Sequence, residues 1–462
     1  MPLKTLHLTN SWHETSGGIA TFYRALMRAA NERGHRMTLV VPAESDRVEQ
    51  AGECGKIYYV RGRPAPFNPR YRMIYPNQFL PAESALQKIL VTERPDLIEI
   101  CDKYSLLYLG IVLRRGLLRG VDFRPAVIGL SCERMDDNFR SYVGRVPLAR
   151  AFCAAYMKLI YFPFFDHHIA NSPYTAGELR AASQGQLVPR GVWIRPMGVD
   201  ARHLSPARRS AEARNRVLEM VAARDGSVVL LYVGRLVPEK NLALLFDLLA
   251  RLARDAKRDY RLLVVGDGIE RGKWEEFSRR EAPGRVTFAG HVGDKNQLAD
   301  IFANADIFIH PNPREPFGIA PLEAMASGLP LVAPDSGGVT SYADSTNAWM
   351  ARPDFESFAA AVEAALSDDA ARNDRVQAAL AAAERNTWEN ACAGFLDLYA
   401  ELHRAAIDPA HALPEPAFSS TPASRLELAW YRGVSQAAEK MFRVISPLLP
   451  STPRRKMSSE TV

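Results

Sequence analysis

The chain has 462 residues, 47% of them apolar, with 58 Lys+Arg against 52 Asp+Glu and a formal charge of +6. That length exceeds what one core grows to, so two domains of about 200 residues are expected, and the apolar fraction gives them ample core material. Five cysteines, Cys54, Cys101, Cys132, Cys153 and Cys392, keep no paired or metal-ligand spacing, which reads as free thiols in a reducing compartment.

Charge is unevenly placed. Residues 1–200 hold 26 Lys+Arg against 18 Asp+Glu, a balance of +8, and the remainder has a balance of −2. A basic first half suits an anionic ligand or membrane surface. A nucleic acid would also suit it, but no RNP, helix-turn-helix or zinc-finger pattern is present, so no nucleic-acid partner is expected. No signal peptide is legible. The longest apolar stretch, Ala151 to Phe165, is 15 residues long and contains Lys158, short of the roughly 20 residues a spanning helix needs. A cytoplasmic protein is expected, with the inner face of the membrane as an optional contact.

In chain order, apolar strands alternate with amphipathic stretches, the pattern of βαβ units and a parallel sheet. Strands are predicted at Thr5–Thr9, Met37–Val41, Ile57–Val60, Leu97–Ile100, Ala126–Leu130 and His168–Ala170. Gly17-Gly18-Ile19 follows the first of them. The Pro- and Arg-rich stretch Arg61–Pro81 is too long and irregular for an ordinary connection and reads as a functional loop. Arg145–Phe165, basic and aromatic, fits an interfacial helix and fits equally a partly buried one. His167-His168 reads as a solvated pair rather than a metal site. A linker is placed at Arg195–Pro206.

The second half repeats the pattern. Strand Val228–Val233 runs into Gly234-Arg235, and Glu239-Lys240 open a helix over Asn241–Leu252. Strand Arg261–Val265 runs into Gly266-Asp267-Gly268, and Val286–Ala289 into Gly290-His291. Strand Asp306–His310 is followed by a proline-punctuated loop, Pro311 to Arg314, and then by EPFGIAPLE, Glu315 to Glu323, which sets two carboxylates eight positions apart. A helix starting near Pro316 would leave the N–H groups of Phe317, Gly318 and Ile319 as the orphan donors of its first turn, a cradle for an anion such as a diphosphate. Glu323 would lie about two turns further in. The plainer alternative is a surface helix with an acid near its N-terminus. Helices are predicted at Ala370–Asn386 and Trp388–Ala406. Beyond them come a linker over Ile407–Ser424, an amphipathic helix over Arg425–Leu449 and the basic run Pro453-Arg454-Arg455-Lys456.

Together, Glu315 to Glu323, GRLVPEK (Gly234–Lys240), GDG (Gly266–Gly268), SGLPLVAPDSGG (Ser327–Gly338), Gly17-Gly18-Ile19, Asn171-Ser172 and PMGVD (Pro196–Asp200) resemble the retaining glycosyltransferases of family four, over roughly residues 3 to 405. The resemblance implies the GT-B fold: α/β, with two Rossmann-like doubly wound domains facing across a cleft. Residues 1–200 would form the acceptor-side domain and 207–387 the nucleotide-sugar-binding domain. Residues 388–406 would form a helix returning to the first domain, leaving 407–462 as an extension.

A glycosyl donor loses a nucleotide diphosphate whose negative charge grows as it leaves, so cations and N–H donors must be placed there beforehand. Arg235 and Lys240 are the expected clamp. By resemblance Glu315 binds the donor sugar's hydroxyls and Glu323 the ribose, with Phe317, Gly318 and Ile319 giving backbone donors. Gly17, Gly18, Gly234, Gly266, Gly268 and His291 are further donor-side candidates. The family is usually described by a front-face route in which the leaving phosphate deprotonates the acceptor, so configuration is retained and no residue acts as nucleophile. No Asp-x-Asp pair ends a strand, so neither metal nor cofactor is expected.

One departure stands out. After the fifth strand many family members carry a histidine facing the donor sugar, whereas here Ser131-Cys132-Glu133-Arg134 and Asp136-Asp137 follow, leaving Glu133 or Asp136 as acceptor-side candidates. Cys132 is a poor nucleophile candidate without a histidine near in sequence. The function implied is transfer of a hexose, mannose ahead of glucose or galactose on the look of Trp193–Asp200, to a hydroxyl acceptor that is lipid-linked or anionic. A soluble glycan acceptor, nucleotide-sugar epimerisation and non-catalytic nucleotide-sugar binding are the alternatives.

Overall fold

The computed structural model describes residues 2–12, 17–65, 68–81, 83–118, 120–143, 147–184, 191–254 and 258–407. The extension from residue 408 on, with its expected linker, amphipathic helix and basic run, lies outside the described residues, as does Arg145.

Two open sheets carry the fold. The first is built from β1 (Lys4–Thr9), β2 (Arg36–Ala43), β3 (Arg47–Gln50), β4 (Gly55–Arg61), β7 (Leu97–Cys101), β8 (Ala126–Ser131), β9 (His167–Ala170) and β10 (Val192–Ile194), in the order β10-β9-β8-β7-β1-β2-β4-β3. All neighbours are parallel except β3 with β4. The second, wholly parallel sheet holds β11 (Val228–Val233), β12 (Tyr260–Val265), β13 (Val286–Gly290), β14 (Ile307–Ile309), β15 (Leu331–Pro334) and β16 (Trp349–Ala351), in the order β13-β12-β11-β14-β15-β16. A separate hairpin pairs β5 (Arg63–Ala65) with β6 (Asn68–Met73).

The central strands read as continuous apolar runs because helices cover both faces, and β7, β8 and β15 are buried at every residue. Strand order reverses between β7 and β1 in one sheet and between β11 and β14 in the other, the places where open α/β sheets leave a crevice beyond their strand ends. The segments that follow β8 and β9 meet the loop that leaves β14. The Ser172 hydroxyl donates to the Pro316 carbonyl, and Arg314 Nε lies 3.3 Å from Asp137 Oδ1.

The helix Trp388–Ile407 packs on the helix Gly18–Glu32, with Phe22 and Phe395 ring centroids 4.8 Å apart. Tyr399 donates its hydroxyl to Glu99, a fully buried carboxylate that also meets His7 Nδ1 and the Tyr23 hydroxyl, each at 3.0 Å. Beneath it the chain passes itself closely. Val199 and Thr387 form a bridge, and a Cβ on Gly198 would lie 2.6 Å from the Trp388 backbone, so only glycine fits there.

Three expectations need correction, and one strand was not anticipated. Arg61–Pro81 is not an irregular loop: it forms β5, β6 and the short helix Pro76–Phe79, held by backbone pairing and by Asn10 Oδ1 accepting from Ile74 N–H at 2.9 Å. Strand β3 is exposed at every residue, so it has no alternating pattern to show. His167 and His168 are buried rather than solvated. His168 stacks on Phe162 at 4.3 Å, and its Nε2 meets the Phe162 carbonyl at 3.0 Å. Finally, the helix after Glu315 starts at Ile319, not near Pro316, because Gly318 turns left-handed at φ +87 and no L residue before it continues the helix.

Candidate active site

The site is assembled where β14 and β11 end. From β14, Ile309 leads to His310, then to the Asn312–Pro316 loop. From β11, Gly234 and Arg235 lead to the 3-10 turn Pro238–Lys240, followed by the helix Leu242–Ala253, whose buried leucines fix its orientation. This brings Lys240 under the loop. Its ammonium donates to both oxygens of Glu315, each at 2.8 Å, and Asn312 Nδ2 adds a third bond to Glu315 Oε2 at 3.0 Å. Burial alone would raise the Glu315 carboxyl, but Lys240, His310 and Asn312 outweigh it and hold it at about 2. The group is therefore a permanent carboxylate.

Glu323 is its opposite. It sits in the second turn of the helix Ile319–Ala326, about one turn in rather than two, and burial alone pushes its carboxyl up to about 7. The sequence places these two acids together and the structure separates their chemistry.

Phe317 and Gly318 precede the helix and Ile319 opens it. Among the described residues their N–H groups have no hydrogen-bond partner, so three donors stand at a helix N-terminus beside Lys240 and Glu315, an arrangement suited to an anion. The Phe317 side chain is buried against Tyr342, ring centroids 5.1 Å apart, and the Tyr342 hydroxyl donates to the Gly318 carbonyl. That pins the turn. From the first domain, the helix beginning at Gly18 abuts the same point: a Cβ on Gly18 would come within 2.7 Å of Ile319 Cδ1. Gly17, its N-cap, has open space around it.

The remaining donor-side candidates divide. Arg235 lies half exposed and pairs with Glu239 at 3.1 Å. His291 is exposed where β13 ends. Gly234, Gly266 and Gly268 have a packing explanation. The Cβ of Gly266 would fall 2.0 Å from the Gly234 carbonyl and that of Gly268 2.2 Å from the Leu236 carbonyl, and the N–H groups of Gly234 and Gly266 are spent on Val265 and Gly290.

On the first-domain wall, Asp136 is clamped by Arg134 through two bonds of 3.0 and 2.7 Å, and its carboxyl is held below the usual range despite burial. Glu133 takes one bond from Asn138 Nδ2 at 2.9 Å, and burial raises its carboxyl. The Cys132 thiol is pushed well up by a neighbouring Cys101 and by burial, so it is no thiolate. Sequence reasoning missed what holds this wall. Lys103, 1% exposed, bonds the Glu133 carbonyl and Glu178 Oε2, both at 2.6 Å, while Glu178 Oε1 accepts from Met135 N–H at 2.8 Å. Those residues are far apart in the chain and only the fold unites them. Asn312 had a nearer signal, a loop amide three residues before an acid. Among the described residues no group of three or more His, Cys, Asp or Glu is gathered as for a metal ion.

The family described as "Glycosyltransferase Family 4" matches residues 16–203, and that described as "Glycosyl transferases group 1" matches residues 216–382. A GDP-mannose-dependent alpha-(1-6)-phosphatidylinositol dimannoside mannosyltransferase of Mycobacterium tuberculosis is 29% identical over 400 residues, 85% of this chain and 95% of that protein. A GDP-mannose-dependent alpha-mannosyltransferase of the same organism is 30% identical over 335 residues, 70% of this chain and 76% of that protein. Among solved structures, sucrose-phosphate synthase from Thermosynechococcus elongatus superposes with a TM-score of 0.69 at 20% identity, covering 87% of this chain and 100% of the other. The Anabaena protein HepE, in complex with UDP and glucose, does so with a TM-score of 0.62 at 18% identity, covering 86% and 100%.

Proposed function

The chain belongs to family 4 of the group 1 glycosyltransferases, with the GT-B fold and a nucleotide-sugar donor, and on that footing we propose that it moves mannose from GDP-mannose to a hydroxyl of a lipid-linked, anionic acceptor with retention of configuration. The observation that carries the reading is the meeting of Lys240, Glu315 and the unpartnered N–H groups of Phe317, Gly318 and Ile319 beside Gly18. A cation and N–H donors set side by side suit a diphosphate's growing charge, and the burial of Glu315 strengthens the field between them. Arg235 joins Lys240 in that clamp by turning from Glu239. Glu315 takes the sugar's hydroxyls and Glu323 the ribose.

Retention is favoured by the state of Glu315. Glu315, ionised down to about pH 2 and bonded on both oxygens, is a weak base and a weak nucleophile. The leaving phosphate is the better base, and it serves the same face of the sugar. Mannose and an inositol-lipid acceptor are favoured because relatives of the chain are named for GDP-mannose and one for phosphatidylinositol dimannoside. Clamping by side chains and backbone predicts turnover that does not respond to a chelator.

A membrane surface fits the helix Pro147–Tyr156 and the turns after it. Tyr161, Phe162, Phe164 and Phe165 are core, while Phe152 and Leu159 are 40% and 70% exposed beside the exposed Arg150 and Lys158. No described helix is long and apolar enough to cross a membrane, so attachment at the surface is the proposal.

The test is a donor screen. GDP-mannose and UDP-glucose are each offered with phosphatidylinositol-type lipid, with a soluble mannoside, or alone. The reading expects acceptor-dependent release of GDP with the lipid. Transfer to the soluble sugar alone would move the acceptor, and conversion of the donor without any acceptor would favour an epimerase.

A further inference from the structure

The loop that carries Glu315 is tied to the first domain on both sides of that acid. Pro316 gives its carbonyl to the Ser172 hydroxyl, and Arg314 sets its Nε 3.3 Å from Asp137 Oδ1. Asp137 is itself fixed within the first domain: the Tyr174 hydroxyl donates to its Oδ2, and Arg134 Nε lies 3.5 Å from the same oxygen. It belongs to the helix Met135–Val143, which packs against the turn Pro238–Lys240. Neither Asp137 nor Arg314 has a part in the machinery so far described.

Inside the loop, one amide joins Arg314 to Glu315. Asn312 Oδ1 accepts from the Arg314 N–H at 3.1 Å, while Asn312 Nδ2 donates to Glu315 Oε2 at 3.0 Å. Both groups hang on one rigid plane, so a shift of the Arg314 main chain is passed to the carboxylate. The Arg314 Nε is buried and makes no hydrogen bond to any described residue, and Asp137 is the carboxylate within ion-pair reach of it. A buried guanidinium nitrogen deprived of that charge is drawn toward water, and the chain that bears it moves too.

We infer that Asp137 is a positioning residue for Glu315, acting across the cleft. Its carboxylate holds Arg314, Asn312 relays that hold, and Glu315 is aimed at the donor sugar's hydroxyls while the two domains are together. The acid that meets the sugar lies in the second domain and the group that sets its angle in the first, so closure of the cleft also readies the site. This rests on the reading of Glu315 as a ligand of the sugar.

The experiment measures GDP binding and kcat/KM with GDP-mannose in the parent, Asp137→Asn, Arg314→Gln, Glu315→Gln and the pairs Asp137→Asn/Arg314→Gln and Asp137→Asn/Glu315→Gln. UDP and UDP-glucose replace them where the donor screen selects those, and single-turnover rates serve for slow variants. Asp137→Asn keeps the side chain's shape and leaves Arg134 its two bonds to Asp136. It should bind GDP, which lacks the transferred sugar, as the parent does. Its kcat/KM should fall about 10- to 100-fold, the effect of a small misplacement at the reacting centre. Arg314→Gln should lose a similar factor, and the pair no more than either alone, because both changes break one link. In the Glu315→Gln background, Asp137→Asn should cost no more than about a further twofold. Where Asp137→Asn fails to fold, Arg314→Gln with and without Glu315→Gln makes the same comparison. Parent-like kcat/KM in Asp137→Asn, or GDP binding weakened in step with it, would overturn the inference. So would a loss of equal size with and without Glu315→Gln, which would show that the pair only holds the cleft shut. If Glu315→Gln turns over normally, the reading of Glu315 has itself failed. If Glu315→Gln is slow while Asp137→Asn is not, only the positioning role has.

Discussion

Lys240 does two jobs at the residue scale, and they can be separated. It neutralises Glu315, which is 8% exposed, and in the proposed reaction it meets the diphosphate. Lys240→Ala should therefore lower turnover about 100- to 1000-fold, about 3 to 4 kcal/mol, and should also lower the melting temperature by leaving a buried carboxylate unpaired. Adding Glu315→Gln should restore the melting temperature and not the turnover, which steady-state kinetics beside calorimetry would show. Glu323 offers a pH test. Burial holds its folded carboxyl at about 7, against about 4.3 in an unfolded chain. Between those values the folded state keeps a proton that the unfolded chain releases, so this group makes stability fall as pH rises. Glu315 acts in the other direction, its contribution complete above the unfolded value and lost as pH falls toward 2. Glu323→Gln should match the parent near pH 4 and exceed it at pH 8, by on the order of 2 kcal/mol in denaturant unfolding. Equal pH dependence in both proteins would contradict the burial of that acid. The sequence singles out both glutamates as candidates, by their spacing and by the resemblance. Their opposite proton affinities were not legible, because Asn312 and Lys240 reach Glu315 and not Glu323.

Elements with strong periodicity or a continuous apolar run, such as β7, β8, β11 and the helix Leu242–Ala253, were legible within a residue or two at each end. Those built on backbone pairing alone, β3 and the β5–β6 hairpin, were not, since neither buries a repeating face. The start of the helix Ile319–Ala326 was misjudged by three residues because a left-handed glycine leaves no mark in a hydrophobic pattern. The segment Pro147–Phe165 was legible as aromatic and basic, but only the structure divides it into a core half and an exposed half. That division makes its proposed role testable. Replacing Leu159 with Asp and Lys158 with Glu changes exposed positions and should leave the fold intact. Binding to vesicles containing anionic lipid should weaken by about 1 kcal/mol for the lost lysine, and further for the lost apolar contact. Unchanged sedimentation with vesicles would remove this face from the membrane proposal.

On the scale of the whole molecule, the site exists because two sheets present their strand ends to each other. The contacts that join them include Arg314 to Asp137, Ser172 to Pro316, Ile319 on Gly18, and the last helix lying on the first with Tyr399 on Glu99. The two-domain α/β plan was legible from length and from strands ending in glycine or polar residues. The cross-cleft contacts were not, since their partners are separated by more than a hundred positions. The central claim is transfer of a sugar from a nucleotide diphosphate to a hydroxyl, on one face and by this clamp. It is tested most directly by the anomeric configuration of the product, read by NMR from an α-linked nucleotide mannose supplied with a lipid acceptor and a chelator. The account predicts an α-glycoside, formed only with acceptor and at a rate the chelator does not change. A β-glycoside, or a rearranged sugar formed without acceptor, would contradict it.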